Sequence, residues 1–226
     1  MQNNDDYLFL DLGSGIANFK LYEEIAKCKK IKVLLSHYHL DHIIGIIYLL
    51  NICRDKEIYI WGPGKDIYGV SCHEILQKII SPPYFGRNID DFSFLVEIND
   101  YQIGYNSFSP NFEVDIIPQI HSSPSFGMLV NNMIYYATDT IVTEETFKKA
   151  SSAKLLLHEC WEIENSKNEK HSSLSEIIEM TNKYQIQNVK LIHLNPNWSE
   201  NDYSIAEKLI ANTNIMFASD GDKYII

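Results

Sequence analysis

The sequence predicts a mixed α and β fold, and three observations carry that expectation. Ile31-Lys32-Val33-Leu34-Leu35 is a short β-branched and aliphatic run that reads as a buried strand. Beyond it, Ile43, Ile47 and Leu50 recur at helical spacing. In the last third of the chain, strand-like and helix-like segments alternate. The join between the first strand and helix is the densest stretch of chemistry in the chain, Ser36-His37-Tyr38-His39-Leu40-Asp41-His42. Structural need seldom gathers three imidazoles and a carboxylate so closely, and a solvated His-rich turn is the weaker reading. In extended chain, residues two apart point the same way, so His37 and His39 can both reach one metal ion. Once the chain turns, Asp41 and His42 can face a second. Neutral imidazole and carboxylate suit zinc, with manganese and iron as compatible alternatives.

The other elements follow in order. Tyr7–Asp11 reads as a strand and Leu12-Gly13-Ser14-Gly15 as a tight turn, with Asp11 either a turn or capping residue or a brace for the metal-binding loop. Phe19, Tyr22, Ile25 and Ala26 predict an amphipathic helix. Residues 57–61 form a strand ended by Gly62-Pro63-Gly64, and a helix over 71–81 carries His73, Leu76 and Ile80 on one face until Pro82-Pro83 stops it. His73 has no ligand-type neighbour and reads as structural. Strands are expected near 94–97, 112–118, 125–130 and 133–138, the last two joined by Asn131-Asn132, a hairpin signal. Then come a strand at 154–158, a helix at 173–184, a strand at 189–193 and a helix at 204–211. Strands at 215–218 and 224–226 close the chain around Asp220-Gly221. Ser173-Leu174-Ser175-Glu176 is a capping box, which starts the helix at Ser173. His171 therefore stands just before a helix N-terminus, whose free N–H groups would favour a nearby phosphate.

With 226 residues, 45% hydrophobic and 22% charged, the chain is expected to form a single globular domain over residues 1–226. A net charge of −11 argues against a broad, sequence-independent grip on nucleic acid. It leaves room for an anionic substrate, because bound dications would reverse the field locally. Cys28, Cys53, Cys72 and Cys160 form no CxxC pair, which fits reduced thiols in a cytoplasmic protein. No apolar run approaches the ~18–20 residues that a bilayer span needs.

The HxHxDH stretch at 37–42 resembles the signature of the metallo-β-lactamase superfamily, and Asp11-Leu12-Gly13-Ser14-Gly15 resembles its DxGxG element. The resemblance implies an αβ/βα four-layer sandwich, here lacking the one or two strands that relatives carry ahead of Tyr7. It also gives meaning to three residues at the ends of later strands, His121, Asp139 and His193. By resemblance, His37, His39 and His121 hold one metal, Asp41, His42 and His193 hold the other, and Asp139 bridges them. That is the two-metal arrangement for in-line attack on phosphorus. His158-Glu159 and Lys170-His171-Ser172-Ser173 resemble the HE and GHS elements of the ribonuclease Z group, with Lys in place of the usual glycine. In that group the His, here His171, donates a proton to the leaving oxygen, and the Glu, here Glu159, orients it. Asp41 belongs with these as a residue expected to serve the reaction as well as the metal. His158 reads as a supporting or structural residue.

The HE and HS elements resemble the phosphodiesterase branch, and the substrate expectation follows from what this chain lacks. Ribonuclease Z proper carries a long arm between the positions of His121 and Asp139, and residues 122–138 leave space only for a hairpin. Armless relatives include cyclic-nucleotide phosphodiesterases of the anti-Pycsar type. The first reading is therefore a binuclear zinc phosphodiesterase acting on a cyclic or other small nucleotide, without an extended nucleic-acid surface. A tRNA 3′ endonuclease, a lactonase-like hydrolase and a non-catalytic nucleotide-binding scaffold are the alternatives. Tyr38, Tyr84, Phe85 and Trp198 are candidates to stack on a base, though ordinary packing is the simpler reading of each. Relatives are often dimers, so a homodimer is expected.

Overall fold

The computed structural model describes residues 1–3, 5–18, 23–164 and 169–226. These fall into two compact units, Met1–Gln102 and Ile103–Ile226, each built on its own sheet. In the first unit the strands β1 (Gln2–Asn3), β2 (Asp6–Leu10), β3 (Lys30–Leu34), β4 (Glu57–Pro63) and β5 (Val96–Tyr101) lie side by side in chain order. β1 runs antiparallel to β2, and β2 to β5 are mutually parallel. β1 precedes the first expected strand and is too short for any hydrophobic pattern to announce. The parallel strands explain the near-continuous apolar run of β3, since parallel strands are covered on both faces. Helices Leu40–Ile43, Ile46–Ile52 and Cys72–Ile79 contribute Ile43, Ile46, Leu49, Leu50 and Leu76 to the core around Ile31, Val33, Ile58 and Ile60. Helix Cys72–Ile79 starts as expected, on a capping box between Ser71 and Glu74. Its His73 is structural, with Nε2 2.8 Å from Asp90 Oδ1. Of the amphipathic helix expected around Phe19 and Tyr22, those two residues lie outside the described set. Residues 23–25 are helical, with Ile25 buried. The strand expected at 94–97 begins later, at Val96, and runs to Tyr101.

Gly45 shows how tightly the metal-loop helix is seated on the turn after β2. Its N–H donates to Leu12 O at 2.8 Å. A Cβ there would lie 2.4 Å from Gly13 O and 2.7 Å from Leu12 O, both backbone atoms that cannot yield cheaply. Gly45→Ala should therefore destabilise the protein by about 1–3 kcal/mol through overpacking, although alanine is the better helix former by about 1 kcal/mol. Urea unfolding checks this, and a variant as stable as the parent would contradict it.

The second unit orders its strands β12-β11-β10-β9-β8-β7-β6. They are β6 (Gly104–Ser109), β7 (Phe112–Gln119), β8 (Ser125–Val130), β9 (Ile134–Ala137), β10 (Leu155–Cys160), β11 (Val189–Leu194) and β12 (Ile215–Phe217). β6 to β9 are antiparallel neighbours, and β9 to β12 are parallel. The β8–β9 hairpin turns on Asn131 and Asn132 at φ 52° and 53°, the left-handed pair that a type I′ turn demands. β6 was not expected from the sequence. It is an edge strand whose outward Tyr105 and Ser107 are exposed, so its residues lack an apolar run. Helix Glu144–Ala150, equally unexpected, buries only Thr146, Phe147 and Ala150. Helix Leu174–Lys183 is capped at Ser173, as expected. Helix Glu200–Ile210 starts ahead of the expected Ser204, because Ser199 and Asp202 form a capping box there. The strand expected at Tyr224–Ile226 does not form. Tyr224 Oη donates to Asp222 Oδ2 at 2.7 Å, and Ile225 is fully exposed with no strand to join.

Parallelism decides where chemistry gathers within each unit. β2 and β3 deliver their C-terminal ends to one edge of the first sheet. β7, β9, β10 and β11 do so in the second, and such edges are where α/β sheets carry their sites. Among the described residues no helix is long and apolar enough to cross a membrane.

Candidate metal centre

In the first unit Asp11 organises the metal loop. It leaves β2 at φ 60°, in the left-handed region, and is buried. Its Oδ1 accepts from Ser36 N at 2.6 Å, and its Oδ2 accepts from Ser36 Oγ at 2.7 Å. His42 Nδ1 lies 2.8 Å from the same Oδ2. Of the two roles open to Asp11, the brace is the one it fills. The network also assigns tautomers. The Ser36 hydroxyl proton is committed to Asp11, so His37 Nδ1, 2.9 Å from Ser36 Oγ, must carry the N–H. His42 Nδ1 likewise donates to the carboxylate. In the neutral rings the lone pair of each then sits on Nε2, and the His37 ring lies 4.5 Å from His39 and 4.3 Å from His42. His42 Nε2 also faces Asp41 Oδ2 at 3.3 Å. Ser36, to which sequence reasoning assigns no role, links the His37 ring to Asp11, while Asp11 itself holds the His42 ring.

In the second unit Asp139 follows β9 at φ 47° and is buried. Its two oxygens face two imidazoles: Oδ2 is 3.2 Å from His121 Nε2, and Oδ1 is 3.3 Å from His193 Nε2. His193 reaches this place through a β-bulge. Glu159 pairs with Ile192 and Cys160 with Leu194, which leaves His193 as the extra residue, at φ 45°. A bulge re-aims a side chain in this way. Left-handed backbone at Asp11, Asp139 and His193 costs energy, and such strain concentrates at functional sites.

The donor set fits a cation. His121 Nδ1 donates to Lys170 O at 2.9 Å, so in the neutral ring the lone pair sits on Nε2, 3.2 Å from a carboxylate oxygen of Asp139. His42 Nε2 presents the same opposition to Asp41. Two acceptors at that separation repel unless positive charge lies between them, and imidazole with carboxylate is the ligand chemistry of zinc and its neighbours.

Within the second unit, the pair His171 and Glu159 stands beside His121. Glu159 Oε1 accepts from Thr140 N at 2.8 Å and lies 3.0 Å from His171 Nδ1, while its Oε2 is buried without a partner among the described residues. Burial pushes the Glu159 carboxyl above its ordinary range, against the opposing hydrogen bond and charge of His171. For His171, burial disfavours the charge, but the hydrogen bond and charge of Glu159, helped by Asp139 and Glu162, prevail and hold the imidazole above its ordinary value. The loop carrying His171 is stitched in place by Ser172 Oγ, which donates to Thr140 O at 2.6 Å. Trp161, to which sequence reasoning assigns no role, stacks on His171 with ring centroids 4.5 Å apart.

One expectation is overturned here. The N-terminus of helix Leu174–Lys183 has no free N–H groups to offer a phosphate. Leu174 N and Ser175 N donate to Glu162 O and Ile163 O, Glu176 N to Ser173 Oγ, and Ile177 N to Ser173 O. The short bridge between Glu162 and Ser173 consumes the donors that a helix start normally leaves open. Three of the four candidate base-stacking residues are engaged within the fold. Tyr38 Oη donates to Pro63 O, Phe85 packs on the first core, and Trp198 Nε1 donates to Trp161 O. Tyr84 is largely exposed.

His158 supports from inside. Its Nδ1 donates to Glu159 O at 2.7 Å, and its Nε2 is buried without a partner among the described residues. Burial pulls its pKa down from 6.5 to about 4, only partly opposed by that hydrogen bond. The folded state therefore refuses a proton that the unfolded chain accepts below about pH 6.5. Stability is intact above that pH and is lost as pH falls toward about 4, by roughly 3 kcal/mol at 1.36 kcal/mol per unit. Urea midpoints of the parent and His158→Leu should diverge over this window, with the variant losing less. Parallel curves would contradict the assignment.

The family model for anti-Pycsar protein Apyc1 matches residues 1–217. The chain belongs to the Apyc1 family. It is also 24% identical over 234 residues to mitochondrial ribonuclease Z 2 of Schizosaccharomyces pombe, which covers 95% of this chain but only 34% of the relative. Against ribonuclease Z of Thermococcus sibiricus it is 20% identical, over 88% of this chain and 80% of the relative. The chain thus spans about a third of the length of the yeast enzyme it matches. Among solved structures, YhfI of Bacillus subtilis, a metallo-β-lactamase fold protein, superposes with a TM-score of 0.74 at 20% identity, over 98% of this chain and 88% of that one. A diphosphatase of the PhnP family gives 0.73 at 16% identity, over 100% and 82%. At these identities the likeness is one of fold, and this Apyc1-family chain has the metallo-β-lactamase fold.

Proposed function

We propose that the two units work as one hydrolase domain that holds two divalent metal ions, zinc by ligand chemistry, and cleaves a small phosphodiester, most readily a cyclic nucleotide. The observation that carries the reading is Asp139, whose two oxygens each face the Nε2 atom of a different histidine, beside a His171–Glu159 pair. In this reading His37, His39 and His121 would hold one ion, Asp41, His42 and His193 would hold the other, and Asp139 would serve both. Bound there, the ions would polarise the phosphoryl group and lower the pKa of a water to supply the nucleophile. The chain's own residues do the rest. Asp11 and Ser36 fix the ligand tautomers, Glu159 orients His171, and His171 gives its Nε2 proton to the departing oxygen. Membership of the Apyc1 family and similarity to ribonuclease Z both support phosphodiester chemistry.

A small substrate is favoured over tRNA by the space between His121 and Asp139, which β8, β9 and their tight turn fill with no protruding arm. The net charge of −11 points the same way. Ribonuclease Z activity on tRNA is the second reading, favoured by the sequence relatives. The buried, unpaired thiols support a reducing, cytoplasmic setting, and a homodimer is carried over from the resemblance.

Metal-loaded protein should turn over cyclic mononucleotides with little salt dependence, whereas a tRNA nuclease would lose affinity with a log–log slope of roughly one per phosphate contact. Salt-sensitive cleavage of precursor tRNA with inert cyclic nucleotides would overturn the choice. Metal analysis should find close to two equivalents, falling in Asp139→Ala. One equivalent under metal excess would overturn the binuclear reading.

A further inference from the structure

We infer that Trp161 is a positioning residue whose indole sets the plane of the His171 ring. The indole stacks on His171 at 4.5 Å between centroids and 16° between planes, and on His193 at 5.8 Å and 29°. The two imidazoles are themselves near parallel, 13° apart in plane with centroids 6.4 Å apart. One flat plate thus lies against both the proton donor and a candidate metal ligand. The hydrogen bond from His171 Nδ1 to Glu159 fixes one direction only and leaves the imidazole free to swivel about it. A stacked ring removes that swivel, and aromatic stacking of this geometry is favourable.

The plate is itself anchored. Trp161 N donates to Ser172 O at 3.0 Å, on the residue after His171, so the indole and the imidazole share a backbone tie. Trp161 O accepts from Trp198 Nε1 at 3.0 Å, and Trp198 packs edge-on against Tyr203 and Phe217. The main chain that carries the indole is therefore held at the strand end of β10 through both its N–H and its carbonyl. Filling core would not require this geometry, since Trp161 is only partly buried.

The inference takes its chemistry from the proposed phosphodiesterase reading but its geometry from the second unit alone. Trp161→Leu removes the plate, and Trp161→Phe keeps a smaller one. With metal content unchanged, Trp161→Leu should lower kcat by about 10–100-fold with little change in KM, the scale of a misplaced catalytic group. Trp161→Phe should recover most of the loss. In a His171→Ala background, Trp161→Leu should cost nothing further, because the plate acts through that ring. Additive losses, or a change confined to KM, would overturn the inference. A second readout needs no turnover: the His171 ring protons should carry an indole ring-current shift in NMR spectra of histidine-labelled protein. That shift should vanish in Trp161→Leu and shrink in Trp161→Phe. If the parent cleaves no phosphodiester, the functional reading fails while the ring-current result still decides the positioning. Unmoved His171 signals would overturn it.

Discussion

Replacing His171 with alanine is expected to leave the fold and the metal content intact and to cut phosphodiester turnover by about 10²–10⁴-fold, the usual size of general-acid catalysis. The structure separates this ring from the candidate ligands by what holds it. His121 and His193 each point an Nε2 atom at Asp139, whereas His171 gives its Nδ1 to Glu159 and lies edge-on to His121 at 4.8 Å. Its elevated basicity keeps a proton available, and the buried carboxylate behind it keeps Nδ1 in place. Glu159→Gln should act in the same direction but more mildly, because an amide can still accept from Thr140 N while losing the charge that favours the imidazolium. Loss of metal in His171→Ala would make it a ligand, and unchanged turnover would remove it from the chemistry. Either result contradicts the assignment.

The metal loop was legible in the sequence because its information is local. His37, His39, Asp41 and His42 sit within one turn, and their density is improbable as packing. His121, Asp139 and His193 were legible only as strand ends, and their grouping came from resemblance. What the sequence could not reveal lies in the backbone. Nothing in the residues themselves announces that Asp11, Asp139 and His193 adopt φ near 50°, or that a bulge singles out His193 from its strand. The phosphate site expected at the helix after His171 failed for a related reason. A capping box was read correctly, but the bridge from Glu162 to Ser173 that uses up the remaining N–H groups is a tertiary contact. Strand β6 escaped because an edge strand with one wet face needs no apolar run.

Asp11→Ala should weaken metal binding by about 10–100-fold, the usual cost of losing a carboxylate that orients a ligand from behind. Three donors converge on this side chain: Ser36 N, Ser36 Oγ and His42 Nδ1. Without it the His42 ring has nothing to hold its N–H inward, and the Ser36 hydroxyl no longer fixes the His37 tautomer. The stripped donors are buried, so stability should also fall, by about 2–4 kcal/mol. Asp11→Asn separates backbone from charge, since asparagine tolerates the left-handed φ of 60° that alanine resists. The amide introduced by Asp11→Asn can accept through one oxygen only, so this variant should keep most of the stability and still lose metal affinity. Chelator competition and urea unfolding on both variants read the two effects apart. Parental metal affinity in both would show that Asp11 is only a turn residue, and an Asp11→Asn variant as unstable as Asp11→Ala would show that charge, and not backbone conformation, holds the loop.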